Sequence, residues 1–160
     1  MLIREATADD WPRIWPFWHR VVAAGETYTW DPETSEEDAR ELWMNPAKRV
    51  YVAEDGSGAV IASAYLTPNY GGPAARIANA GFMVDPGHAG RGTGRALAGH
   101  VLAAAKAEGY RGMVFNAVVE TNPAVRLWTS LGFTVLGTVP DAFEHPRHGR
   151  VGLHIMYRAL

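Results

Sequence analysis

The sequence predicts an α/β (α+β) domain, a mixed sheet with helices on both faces. Three observations carry that expectation. Strand-like apolar runs and helix-periodic segments follow one another in the order β-α-α-β-β-β-α-β-α-β-β. No linker or internal repeat interrupts them. The 160 residues suffice for one core and are too few for two domains of ordinary size, so residues 1–160 read as a single domain.

Leu2 to Ala6 reads as a short strand. Thr7 and Asp10 then form an acidic variant of the capping box, with Asp9 adding negative charge at the helix start. Trp11, Ile14, Trp15, Trp18, Val21 and Val22 recur at helical spacing. Pro12 and Pro16 are awkward within that helix and predict a late start, a kink or a break. Gly25 ends it. Ser35 with Asp38, or Thr34 with Glu37, caps a second helix that stops before Pro46. Val50 to Glu54 and Val60 to Leu66 are strands joined by the hairpin signal Asp55-Gly56-Ser57-Gly58. After the loop Asn69-Tyr70-Gly71-Gly72-Pro73, Ala74 to Val84 is the next strand. Thr93 to Glu108 is a helix with Leu97, Val101 and Ala104 on one face, closed by Gly109. Met113 to Val119 is a strand of the buried type. Asn122 suits an N-cap and Pro123 the first helical position of a helix that ends at Gly132. Phe133 to Val139 and Leu153 to Arg158 close the sheet.

Composition narrows the function. Hydrophobic residues at 48% and charged residues at 20% describe a soluble, globular chain. The net charge is −2 and no lysine/arginine stripe is present, which argues against a nucleic-acid partner. The one basic cluster, His145-Pro146-Arg147-His148-Gly149-Arg150, is short. The absence of cysteine excludes disulfides, thiolate metal sites and a cysteine acyl-enzyme. No apolar run reaches membrane-spanning length and Met1-Leu2-Ile3-Arg4-Glu5 is not a signal peptide, so no membrane partner is expected and a cytoplasmic location is the default.

The most informative stretch is Val84-Asp85-Pro86-Gly87-His88-Ala89-Gly90-Arg91-Gly92-Thr93-Gly94-Arg95. A strand ends at a proline, glycines alternate through a turn, and a helix begins. Unpaired N–H groups and the helix dipole make such a junction a binder of anions, phosphates above all. Alternating glycines let a phosphate approach the backbone. Gly87 and Gly92 have the spacing of a Walker loop, but Thr93 stands where lysine is required. A dinucleotide fingerprint starting at Gly90 and Gly92 would need a third glycine where Arg95 stands.

The run instead resembles the coenzyme A loop of the GCN5-related N-acetyltransferases (GNAT family), [QR]-x-x-G-x-[GA] after a V-x-P strand end. Gly92 and Gly94 fit its small positions, and Ala89 departs from its Gln/Arg. One strand downstream, Asn122-Pro123-Ala124-Val125-Arg126-Leu127-Trp128-Thr129-Ser130-Leu131-Gly132-Phe133 is similar to the family's N-x-x-A-x-x-L-Y-x-x-x-G-F. The resemblance covers nearly the whole chain. It implies a mostly antiparallel sheet, splayed at the centre beside a bulge in the strand before the glycine loop, with acetyl-CoA lying in the gap like an extra strand. Gly81 agrees with such a bulge. The resemblance further implies that main-chain groups of Phe82, Met83 and Val84 bond the pantetheine and the acetyl carbonyl. Amides of Gly90, Arg91, Gly92, Thr93, Gly94 and Arg95 would hold the pyrophosphate, and Asn122 would reach the cofactor from the other side. Relatives are often homodimers, and the exposed C-terminal strand is where pairing could occur.

On the acceptor side, Ala78-Asn79-Ala80-Gly81-Phe82 with Phe115-Asn116 and Asn122 is similar to the branch that acetylates proline and azetidine-2-carboxylate analogues. Gly25-Glu26-Thr27-Tyr28-Thr29-Trp30 looks like the aromatic segment of the phosphinothricin and methionine-sulfone acetyltransferases. The expectation is therefore direct acetyl transfer from acetyl-CoA to the amine of a small amino acid or analogue. Tyr28, Trp30, Asn79 and Asn116 are the expected substrate contacts. The Val84 N–H is the expected donor to the acetyl carbonyl. Asn79 stands where several relatives carry a glutamate, and an amide cannot take a proton. The base candidates are Glu120, His145, His154 or a water chain. The family's tyrosine acid is replaced by Trp128, which leaves Tyr157, Tyr110 or water for that task. Two alternatives stay open: a protein N-terminal or polyamine acetyltransferase, and a non-catalytic acyl-CoA sensor.

Overall fold

The computed structural model describes residues 1–160. Its strands are β1 (Leu2–Glu5), β2 (Arg49–Glu54), β3 (Val60–Pro68), β4 (Ile77–Val84), β5 (Gly112–Val119), β6 (Thr134–His145) and β7 (Gly149–Ala159). Its helices are α1 (Trp11–Ala23), α2 (Glu36–Trp43), α3 (Thr93–Ala107) and α4 (Ala124–Ser130). The strands form one seven-stranded sheet in the order β1-β2-β3-β4-β5-β7-β6. Every neighbouring pair is antiparallel except β4 and β5.

The start of α1 resolves its proline problem. Asp10 accepts from the Thr7 N–H at 2.8 Å, and a 3-10 turn over Ala8–Asp10 delays the α-helix to Trp11. Pro12 thereby falls in the first turn, where its missing N–H costs nothing. Pro16 stays inside the helix and leaves one carbonyl without its usual partner. Ser35 caps α2 by accepting from the Asp38 N–H at 3.1 Å.

Two cores flank the sheet. On one face α3 and α4 bury Leu97, Val101, Trp128 and Phe133 against Ala78, Ala80, Phe115 and Met156. On the other, α1 and α2 bury Trp11, Ile14, Phe17, Trp18 and Trp43 against Val50, Val52, Tyr65 and Met83. Asp10, only 2% exposed, ties the N-terminal corner together. It accepts from both Arg4 guanidinium nitrogens, at 2.8 and 2.9 Å, and from Arg13 at 3.0 Å.

The C-terminal ribbon is longer than the sequence suggests, because β6 and β7 run past Val139 and before Leu153 to meet at a turn over residues 146–148. Register shifts between Val135/Gly137 and Val139/Phe143 absorb Leu136, Pro140 and Asp141, the last with φ of 53°. At the turn His145 is buried, and its Nδ1 accepts from the N–H groups of Arg147 and His148 at 3.1 and 3.2 Å.

The expected bulge at Gly81 is absent. The β3–β4 register runs unbroken from Ala62↔Val84 to Pro68↔Ala78. Gly81 is required for another reason: a Cβ there would lie 2.4 Å from Cε1 of Tyr65, its direct cross-strand partner. The irregularity belongs instead to β5, between Phe115 and Val118.

Candidate active site

The parallel strands β4 and β5 pair only at Ile77↔Gly112 and Ala78↔Met113, and then part. Beyond Ala78, alternate residues of β4 lose their partners on that side. Asp85 donates to the Ile61 carbonyl at 2.8 Å and Ile77 accepts from Asn69 at 2.8 Å, so odd-numbered residues turn to β3. The main-chain groups of Phe82 and Val84 therefore face the gap. Those of Met83 face β3 opposite Ser63, which corrects the expectation that Met83 offers its backbone to a ligand; its buried side chain belongs to the α1/α2 core.

The gap runs into the glycine junction. Asp85 accepts from the Gly87 N–H at 3.1 Å and holds Arg20 at 2.8 Å, fixing the turn after β4. Gly90 and Gly92 then adopt φ of 76° and 82°, where side chains are strained, and a Cβ at either would point into open space. The first α3 backbone bond runs from Ala96 to the Gly92 carbonyl. The N–H groups of Gly90, Arg91, Gly92, Thr93, Gly94 and Arg95 are thus without main-chain acceptors, at the positive end of a helix. These groups fit a diphosphate. Arg91 is exposed, while the Arg95 side chain is committed to Ser130 at 2.7 Å.

At the other end the gap widens into a cleft of about 240 Å³. Tyr28, Trp30, Tyr65, Asn79, Phe82, Phe115, Asn116, Asn122 and Trp128 line it. Tyr28 and Trp30 stack with ring centroids 4.9 Å apart, and Trp43 meets both edge-on. The Tyr28 hydroxyl donates to the Phe82 carbonyl at 2.8 Å and accepts from the Phe82 N–H at 3.0 Å. Burial of that hydroxyl, reinforced by Tyr65, pushes its pKa well above the ordinary tyrosine value, against the weaker pull of the Phe82 backbone. Asn116 forms a reciprocal amide pair with Asn69, at 2.7 and 3.1 Å. Asn122 caps α4 by accepting from the Ala124 N–H at 2.9 Å, which leaves its amide donors free. Asn79 shares the cleft wall with Tyr65.

Some expected residues are elsewhere. Val84 faces the gap but not the cleft; Phe82 holds the cleft position. Glu120 lies past the end of β5 outside the cleft, and its carboxylate accepts from the Gly152 N–H at 2.7 Å. His145 sits at the ribbon turn, and His154 pairs with Thr138 at 2.7 Å. Neither lines the cleft. Tyr157 covers Gly112, where a Cβ would lie 2.6 Å from its ring, at the closed end of the gap. Trp128 is packed among Phe82, Phe115 and Phe133 in the α3/α4 core. Two contributors escaped the sequence reading: Asn69, and Arg147, which reaches from the ribbon turn to Glu26 at 3.1 Å. A larger groove of about 1050 Å³ beside β1 and α2, with Glu5, Glu36, Glu37 and Glu41 on its wall, shares no residue with the cleft.

A gap of this shape suits a ligand that brings its own amide backbone and ends in phosphate, which is the requirement of the acyl-CoA-using transferases. The comparison with known proteins assigns the family: residues 6–133 match the Acetyltransferase (GNAT) family, and the chain belongs to it. Enzymes of this family draw on acetyl-CoA. The N-acetyltransferase aca1 of Schizosaccharomyces pombe is 32% identical over 137 residues, 76% of this chain and 66% of that protein, so this chain spans just under two thirds of that relative's length. A GCN5-related N-acetyltransferase from Kribbella flavida superimposes with a TM-score of 0.96 at 53% identity, over 99% of this chain and 97% of its own. A phosphinothricin acetyltransferase from Sinorhizobium meliloti, solved with AcCoA, gives 0.86 at 25% identity over 99% and 88%. No helix here is long and apolar enough to cross a membrane.

Proposed function

We propose that this chain transfers the acetyl group of acetyl-CoA directly to the amine of a small amino acid or amino-acid analogue. One observation carries the reading. The strands β4 and β5 open into a gap that joins free helix-start amides at one end to a small, amide-rich aromatic cleft at the other.

Amides of Gly90 to Arg95 take the diphosphate. Main-chain groups of Val84 take the pantetheine arm, as an added strand would pair. The Phe82 N–H, which faces the cleft, takes the acetyl carbonyl oxygen and stabilises the charge that gathers there. Tyr28 and Trp30 wall the acceptor's apolar part. The amide donors of Asn79 and Asn122, with the N–H of Asn116 not given to Asn69, suit a carboxylate, since no lysine or arginine lines the cleft. The N–C bond forms, the C–S bond breaks and the thiolate leaves on CoA.

No carboxylate or imidazole lines the cleft either. The amine therefore enters neutral and gives its proton to water, with no side chain acting as base. Trp128 donates a hydrogen bond at most, and the thiolate departs without a neighbouring acid. The acidic groove beside α2 is separate from the gap, which weighs against a polyamine acceptor.

The test is calorimetry with acetyl-CoA and CoA, followed by thiol release over an amino-acid panel that includes proline analogues. Binding with turnover on a small amino acid is the expected result. Binding without turnover on any amine would make the chain a sensor. Absence of binding would end the reading.

A further inference from the structure

The Tyr28–Phe82 contact does more than wall the cleft. Where β4 leaves β5, the Phe82 N–H and C=O face the gap with no strand to pair them. A buried backbone pair left so would lose its solvation with nothing in exchange. The Tyr28 hydroxyl answers both groups at once, accepting at 3.0 Å and donating at 2.8 Å. It reaches them from the α1–α2 loop, 54 residues away, with its ring clamped by Trp30 and Trp43. The Phe82 side chain belongs to the opposite core, against Trp128. The hydroxyl therefore enters the plane of the sheet at the gap, from the α1/α2 side.

On the proposed function, on which this inference rests, the Phe82 N–H is also the donor to the acetyl carbonyl. That N–H serves one acceptor well at a time. A carbonyl oxygen that bonds it must replace the Tyr28 oxygen, which then lies beside the oxygen that replaced it. The O–H is left with two acceptors: the neutral Phe82 carbonyl, and an oxygen that turns anionic as the amine attacks. Bonds to a charged acceptor are roughly twice as strong as bonds between neutral groups. The choice thus shifts to the reacting oxygen as the charge develops.

We propose that Tyr28 is a catalytic residue, a hydroxyl held on Phe82 in the free protein that becomes a second hydrogen-bond donor to the acetyl oxygen during transfer. The hydroxyl keeps its proton throughout; no covalent bond of Tyr28 changes. Burial suits the task, because it disfavours the phenolate and keeps the donor protonated over the working pH range. The contribution falls in the transition state, since in the ground state the O–H already has the Phe82 carbonyl.

The experiment is Tyr28→Phe, read in three ways with the intact chain. Calorimetry with CoA, which has no acetyl oxygen, checks the fold of the gap and is expected to match the unmodified protein. Calorimetry with acetyl-CoA is expected to show equal or tighter binding, because the competitor for the Phe82 N–H is gone. Thiol release with the amine that the unmodified protein uses best is expected to fall by about 10²-fold in kcat, the scale for losing one such donor. A kcat retained within about threefold would overturn the proposal and leave Tyr28 a wall. So would a rise confined to the acceptor KM, or loss of CoA binding, which would mean that the hydroxyl only holds the strand. If the unmodified protein releases no thiol with any amine, the parent reading fails and this inference with it.

Discussion

Replacing Gly81 by alanine tests the packing on which the cleft is built. The new Cβ would stand 2.4, 2.8 and 3.1 Å from Cε1, Cζ and Cδ1 of Tyr65. Ordinary carbon–carbon contact is about 3.5–4.0 Å, so the ring must withdraw by about an ångström. It has little room. Tyr65 is 8% exposed, meets Trp43 edge-on at 5.0 Å and lies under the Lys48 ammonium at 3.9 Å. Overpacking of that kind costs about 1–3 kcal/mol. In a chain of this size each kcal/mol moves Tm by about 2–4 °C, so a loss of about 2–12 °C is expected by scanning calorimetry or by circular dichroism. Gly99→Ala is the control. Gly99 is exposed within α3 with no atom near its Cβ position, and the exchange should stabilise by roughly 0.5–1 kcal/mol. A Tyr65→Leu background, which removes the ring, should recover most of the Gly81→Ala loss. If Gly81→Ala lowers stability by less than about 0.5 kcal/mol, or if Tyr65→Leu recovers nothing, the steric explanation of this glycine is wrong.

Other consequences are measurable. Asp10 is held at a pKa of about 2, below its ordinary 3.8, first by the bond from Arg4 and, against the cost of burial, by the Thr7 N–H. A depressed pKa gives stability that is present above the unfolded value and lost as pH falls through the folded one, so this corner should weaken between about pH 4 and 2. Asp10→Asn should cost about 2 kcal/mol at pH 7 and flatten that acid limb in urea titrations; an unchanged limb would refute the assignment. Gly92→Ala forces a side chain into φ of 82° in the anion loop and should weaken CoA binding at least about tenfold by calorimetry. Glu120→Gln should leave the pH–rate profile unchanged, because its acceptor bond to Gly152 survives in the amide. With no base in the cleft, kcat/KM should rise with pH along the titration of the acceptor amine and shift when an amine of different pKa is supplied.

The succession of strands and helices was legible because each element carries its own signal. Apolar periodicity gave α1 and α3, and Ser35, Asn122 and Gly109 mark helix ends. The glycine turn leading into α3 was legible for the same reason, since its alternating glycines and its helix are contiguous. What was missed depends on contacts between distant residues. Gly81 reads as a bulge because glycine in a strand often is one, yet the cause is Tyr65 across the sheet. An aromatic residue at the register position opposite a strand glycine is the signal that would have found it. The sequence reading ends the first ribbon strand at Val139, just before Pro140 and Asp141, and starts the second at Leu153. A two-stranded ribbon tolerates Pro140 and Asp141 through register shifts. The bond from Tyr28 to Phe82 and the Asn69–Asn116 pair join segments that no local pattern connects. Glu120, His145 and His154 have the right chemistry, but the sheet register carries them away from the gap.

The aromatic row on the α1/α2 face has an optical consequence. Trp11, Trp15, Trp18, Trp30 and Trp43 form an unbroken chain of rings, each with its centroid within 6.4 Å of a neighbour's, and Tyr28 stacks on Trp30. Excitation absorbed anywhere along it can migrate to Trp30, the member that borders the cleft. A ligand entering beside that indole would change the emission of the whole array, so the molecule carries its own reporter of whether the cleft is filled.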